Sequence, residues 1–285
     1  MILKSILPSH CIRLTHFSFN RSYRTKSIMN SIKNLTINEW KPEDSISKKI
    51  KDLLIPISKN GTIPKMNYML AFLQIIKSLK FQKRTGWIDH GIPVLKTESI
   101  ADHMYRMSII SMMVPPNIDS NKCVKIAVIH DIAECLVGDI TPFGGISKDE
   151  KHRRECETIN YLSELIKPYN AEFSEEMLEL WLDYEEIRTI EARYVKDIDK
   201  YEMIHTAWEY ELEYGLKYNL DQFFTARAAI KTKEIGELAD SVLEKRTKLM
   251  NDLKEKEQEK AKEKLKDSKI TTSTESKSVD VQPTL

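Results

Sequence analysis

"CVKIAVIHDIAECLVGD", residues 123–139, decides the fold class. Val124, Ile126, Ala127, Val128, Ile129, Ile132, Ala133, Leu136 and Val137 crowd nearly every side of the helix it would form. A helix that is apolar all round belongs inside a core. Yet His130, Asp131, Glu134 and Asp139 are set into it, and such groups are costly to bury without partners. On a regular helix His130 and Glu134 share a face and Asp131 lies about 100° round from His130. Gly138 stands where a helix C-cap is expected.

Working outward, "TESIADHMYRMSIISMMV" (97–114) reads as a helix that Thr97 or Ser99 can cap, with acidic residues in its first turn and Pro115 and Pro116 as its stop. "PKMNYMLAFLQIIKSLKFQ" (64–82) spaces Met66, Leu70, Leu73, Ile76 and Leu79 by threes and fours, so these five are the expected buried face. Two glycines and a proline make "RTGWIDHGIPVLK" (84–96) an expected loop. Further helices are expected over 149–167, 174–186, 189–215, 221–230 and 233–250. With only 8 glycines in 285 residues and weak strand signals, the expectation is all-α: a helical bundle with no significant sheet.

The chain carries 44 Lys and Arg against 43 Asp and Glu, a net charge of +1. That argues against a protein built to coat a nucleic-acid polymer or an anionic membrane. Residues 1–38 hold six of the basic residues and no acidic one; removing them leaves 38 against 43, a net charge of about −5 for the rest. This Ser- and Arg-rich extension has the composition of a mitochondrial transit peptide. The alternatives are a disordered basic extension, or upstream sequence bypassed when translation starts at Met29, so an intracellular location is expected, cytoplasmic or mitochondrial. Residues 39–63 read as a surface wrap, 64–250 as the folded domain, and 251–285 as a charged, solvated helix extension and disordered tail. No apolar run is long enough to span a membrane. Cys11, Cys123, Cys135 and Cys156 show no CxxC spacing, which suits buried thiols in a reducing compartment.

Two further helices add to the polar set. His103 follows Asp102 in "ESIADHMYRM", and Asp199 lies in "VKDIDKYEM" among core-like neighbours. Two histidines and two aspartates drawn from three helices suit one divalent ion such as Mn, Co, Fe, Zn or Ni, with no thiolate offered.

These residues resemble the H…HD…D signature of the HD-domain phosphohydrolases, at His103, His130 with Asp131, and Asp199. The blocks "RTGW", "ESIADHMYRM", "HDIAECLVGDITP", "EKHRRE" and "VKDIDKYEM" come in the order of the small HD-domain 5′-deoxynucleotidases of eukaryotes and bacteria, and cover roughly residues 64–245. The resemblance implies an HD-domain helical fold, a divalent metal on His103, His130, Asp131 and Asp199, and release of the 5′-phosphate from deoxynucleoside monophosphates. It also implies a homodimer, for which Met112, Met113, Trp181, Trp208 and Tyr210 are candidate interface residues, the equal alternative being that they are core.

Glu134 is placed to orient the attacking water or exchange its proton. Asp139 would protonate the leaving 5′-oxygen, or join Glu134 and the carbonyl of Ile140 around a second ion such as Mg. Arg84 is the candidate for gripping the phosphate with two N–H groups. Trp87 is the second substrate-side candidate, although Thr85 and Gly86 separate an Arg and a Trp that are adjacent in bacterial relatives. Lys151, His152, Arg153 and Arg154 read as a solvated helix face, the alternative being that they add positive potential at the mouth of the site. The motif core alone leaves two rivals: hydrolysis of another nucleotide phosphate ester, and a noncatalytic metal-stabilised helical scaffold.

Overall fold

The computed structural model describes residues 39–56, 61–141 and 144–275. The basic extension, residues 1–38, with its expected targeting role, and the last ten residues of the expected tail lie outside them. The described chain is helical, and its only extended pairing is an isolated antiparallel bridge between Lys83 and Ser99. The helices are α1 (Lys48–Leu53), α2 (Lys65–Ile76), α3 (Thr85–Asp89), α4 (Ile100–Ser111), α5 (Ser120–Ile129), α6 (Glu134–Val137), α7 (Lys148–Ile166), α8 (Ala171–Glu186), α9 (Ile190–Tyr214), α10 (Asp221–Phe224) and α11 (Lys233–Glu275). The chain divides into two compact units, with the boundary between Val195 and Lys196 inside α9.

In the first unit α4 packs along α5, α5 against α8, and α7 against α2, α6 and α8. Ile100, Met107, Ile126, Ile159, Leu162, Ile166, Met177 and Trp181 fill its interior. At about 25 cal/mol per Å² of apolar surface, side chains of this size each contribute roughly 1.5–3 kcal/mol. Local chemistry fixes the ends: Ser99 accepts from the Asp102 N–H and Asp102 returns a bond to the Ser99 N–H, a capping box at the start of α4. Asp119, Ser147 and Asn170 cap α5, α7 and α8 with side-chain oxygens. In the second unit Ile204, Phe223, Phe224, Ile235 and Val242 are buried, and Arg246 of α11 holds both oxygens of buried Glu211 at 2.8 Å.

Three expectations need correction. The buried face of α2 is Ala71, Phe72 and Ile75, with Leu79 beyond it, while Met66, Leu70 and Leu73 are exposed. Two apolar stripes run along this helix, and periodicity could not say which one α7 would cover. Residues 84–96 are not all loop, since they hold α3 and a short 3₁₀ turn at Val94–Lys96. The stretch 123–139 is two helices, α5 and α6, rather than one.

Candidate metal centre

The break between α5 and α6 falls on the HD pair. His130 still closes the regular ladder onto Ile126, but Ile132 bonds back to Ile129, Glu134 to Asp131 and Cys135 to Ile132, three residues apart in each case. The backbone is overwound there, as in a 3₁₀ turn. Gly138 ends α6 with φ +81° and ψ 166°, a region that only glycine adopts at little cost. His130 and Glu134 therefore do not sit one above the other as on a regular helix.

The turn sets the donor geometry. His130 is buried, and its Nδ1 lies 2.9 Å from the carbonyl of Ala127, which can only accept. Nδ1 therefore carries the proton, and Nε2 keeps its lone pair. That Nε2 makes no hydrogen bond, although it lies 3.1 Å from Asp131 Oδ2. His103 reaches in from α4 with a fully buried side chain, its Nε2 3.9 Å from the same oxygen and its ring 5.5 Å from that of His130. Two donors each about 2.1 Å from one ion stand about 3 Å apart. His130 Nε2 and Asp131 Oδ2 stand at that separation and His103 Nε2 lies 0.8 Å further from the same oxygen, and imidazole with carboxylate is a donor set of the kind that transition metals take. Asp199 sits half-buried on α9, in the second unit.

Glu134, at the start of α6, is 4 % exposed, and its Oε2 has no hydrogen-bond partner. Burial, and then the charges of Asp131 and Asp139, push its carboxyl well above the ordinary range, while Lys151 and Arg84 pull the other way. Lys151 Nζ lies 3.8 Å from Glu134 Oε1 and 3.5 Å from Glu155 Oε1. Burial pushes Glu155 up to about 7, with Glu185 and Asp131 adding to the effect and Lys151 opposing it.

The four-residue basic run thus splits. Arg153 and Arg154 are half-buried rather than solvated, and bond to Glu150, with Arg153 also reaching Glu157. Lys151 faces the carboxylates of Glu134 and Glu155 instead.

Asp139 Oδ2 accepts the backbone N–H of Thr85 at 2.5 Å, tying the RTGW segment to the end of α6. Ile140, the next residue, is half-buried. Arg84 Nη1 lies 3.9 Å from Asp131 Oδ2 and its Nε 3.5 Å from Glu98 Oε1. Trp87 is 1 % exposed and donates its indole N–H to Glu98 at 2.9 Å, so its ring is part of the interior. Glu98, also 3.7 Å from Arg106, is the residue that sequence reading missed. It resembled an ordinary first-turn acid beside the cap.

A family profile described as HD domain matches residues 76–239. The 5′-deoxynucleotidase YGK1 of Saccharomyces cerevisiae is 51% identical over 77% of this chain and 99% of its own length. The 5′-deoxynucleotidase hdd1 of Schizosaccharomyces pombe is 43% identical over 66% of this chain and 95% of its own. A solved structure of HD domain-containing protein YGK1 aligns with a TM-score of 0.58 at 42% identity, covering 74% of this chain and all of that one.

Proposed function

Because the chain belongs to the HD-domain family, we propose that it is a metal-dependent 5′-deoxynucleotidase, a phosphoric monoester hydrolase that converts deoxynucleoside 5′-monophosphates to deoxynucleosides and phosphate. The observation that carries this reading is the buried Nε2 of His130, its tautomer set by Ala127 and its lone pair directed to no protein hydrogen 3.1 Å from a carboxylate.

His103, His130, Asp131 and Asp199 would hold the ion, with Mn or Co as the proposed occupant. When bound, the ion activates a water and polarises a phosphoryl oxygen. The protein's own groups do the rest. Glu134, held protonated or charged by the balance of burial and cations around it, takes or gives a proton at its carboxylate oxygens. Arg84 aims its guanidinium at the phosphate from beside Asp131. Asp139 keeps Arg84 in place through Thr85, and its carboxylate is the proposed donor to the leaving 5′-oxygen or, with Glu134 and Ile140, a ligand of a second ion such as Mg. Trp87 acts through Glu98, which it orients.

The test is phosphate release from dAMP and AMP by protein stripped with chelator and reloaded with Mn, Co or Mg. Stripped protein and Asp199→Ala are expected to be inactive with helix content retained; normal turnover of dAMP by Asp199→Ala would refute the ligand set.

A homodimer is proposed through the apolar face of α2 and α4, where Met66, Leu70, Leu73, Tyr105, Met112 and Met113 are exposed beside a groove of about 620 Å³. Trp181 and Tyr210 are buried and belong to the core. A reducing intracellular compartment is proposed on the buried free thiols of Cys123, Cys135 and Cys156. No described helix is long and apolar enough to cross a membrane.

A further inference from the structure

Lys151 lies two and three residues from Arg153 and Arg154 on α7, yet its surroundings differ in kind. The two arginines make close bonds of 2.6 to 2.8 Å to glutamates on their own helix. Lys151 is about two-thirds covered, and its ammonium stands 3.8 Å from Glu134 Oε1 and 3.5 Å from Glu155 Oε1. Both distances exceed the roughly 2.7–2.9 Å of a settled N⁺–H···O⁻ bond. A lysine stem is flexible enough to carry its charge from these two carboxylates to a third anion.

The site needs such a charge. Asp131, Glu134 and Asp139 lie within nine residues of one another, and a phosphate dianion brought beside them meets repulsion. Arg84 answers part of it, but its guanidinium is shared between Glu98 and Asp131. Lys151 is the cation that the structure sets against Glu134, on an element separate from the one that carries Arg84.

We propose that Lys151 is a substrate-binding residue, the second cation beside Arg84 that holds the 5′-phosphate at the HD turn. The inference rests on the phosphohydrolase reading. It distinguishes Lys151 from a residue that merely keeps Glu134 oriented: a phosphate-holding lysine acts on anion affinity, an orienting one on turnover.

The experiment uses the full-length Mn-loaded protein, its Lys151→Met and Lys151→Arg variants, and three probes: inorganic phosphate and deoxyadenosine by titration calorimetry, and dAMP by kinetics. Losing one hydrogen bond to a charged group predicts a roughly 10- to 100-fold weaker phosphate affinity and a similar rise in KM for Lys151→Met. Deoxyadenosine affinity, Mn affinity and melting temperature should stay at wild-type values, and Lys151→Arg should recover most of the phosphate affinity. Phosphate affinity and KM unchanged in Lys151→Met, with or without a fall in kcat, would overturn the proposal. Should wild type release no phosphate from dAMP, the functional reading fails, while the phosphate titration still decides whether Lys151 binds the anion.

Discussion

Glu134 and Glu211 are both carboxylates taken almost wholly out of water, at 4 % and 2 % exposure, and the protein treats them in opposite ways. Glu211 is gripped at both oxygens by Arg246, at 2.8 Å each, and that guanidinium also bonds to Asp221 and lies 3.8 Å over the ring of Phe224. Glu134 has a lysine 3.8 Å away at one oxygen and no hydrogen bond at the other. Buried polar groups in native proteins are nearly always satisfied, so an unsatisfied one calls for a reason. The contrast separates a carboxylate that serves the fold from one kept available for chemistry.

Glu134→Gln is the strongest way to break that contrast. If Glu134 handles a proton in the reaction, turnover of dAMP should fall by roughly 10²–10⁴-fold. The metal-free protein should melt no lower than wild type, because a neutral amide replaces a buried carboxyl that lacks close partners and is costly to ionise. A large loss of melting temperature with modest loss of turnover would put Glu134 in the same class as Glu211.

Arg246→Ala tests the other side. Breaking a buried pair leaves an uncompensated charge and costs about 3–5 kcal/mol. Chemical denaturation should show that loss, and turnover measured well below the melting point should stay near wild type. A small stability change would mean that the Glu211 pair is satisfied in geometry but not in energy.

The sequence was informative where one residue type has one plausible purpose. Paired imidazole and carboxylate inside an apolar helix pointed to a metal, and in the structure His103 and His130 lie 3.9 and 3.1 Å from one oxygen of Asp131. One helix start and one helix end were legible because Ser99 and Gly138 act locally. What stayed hidden depended on contacts remote in the chain. Which stripe of α2 would be covered depends on α7, about 80 residues on. Lys151 and Arg153 differ in role only because of what α6 presents to them. The overwound turn at His130 leaves no compositional mark, since Ile132 and Ala133 would continue a helix equally well.

Glu155 is the intermediate case, half-buried with a partner at 3.5 Å, and pH can grade it. Its folded pKa of about 7 lies above the ordinary 4.5. The folded state therefore holds the proton more tightly, and this contribution to stability is complete below pH 4.5 and lost as pH rises to 7. Glu155→Gln should match wild type at pH 4.5 and exceed it increasingly up to pH 7, by at most about 3 kcal/mol, for a shift of this size. Thermal melts of metal-free protein across that range will measure it. A flat difference would mean that Lys151 satisfies Glu155 fully.

The smallest expected effect sharpens the comparison from the satisfied side of the site itself. Ser99 is 2 % exposed, and its hydroxyl accepts the Asp102 N–H at 3.1 Å while Asp102 accepts the Ser99 N–H at 2.7 Å. Ser99→Ala removes one of these two bonds and should cost about 1 kcal/mol of stability. The backbone bonds on either side, Arg84 N–H to the Glu98 carbonyl at 3.1 Å and Ile100 N–H to the Gln82 carbonyl at 3.0 Å, involve no Ser99 side-chain atom and survive the change. They hold Arg84 and the start of α4 in register, so His103, one turn into that helix, should keep its position. Turnover should then fall by less than the roughly fivefold that about 1 kcal/mol would represent if all of the lost stability were spent at the metal site. A larger fall would show that the cap orients His103 directly, and that a fully satisfied group can belong to the chemistry as well as to the fold.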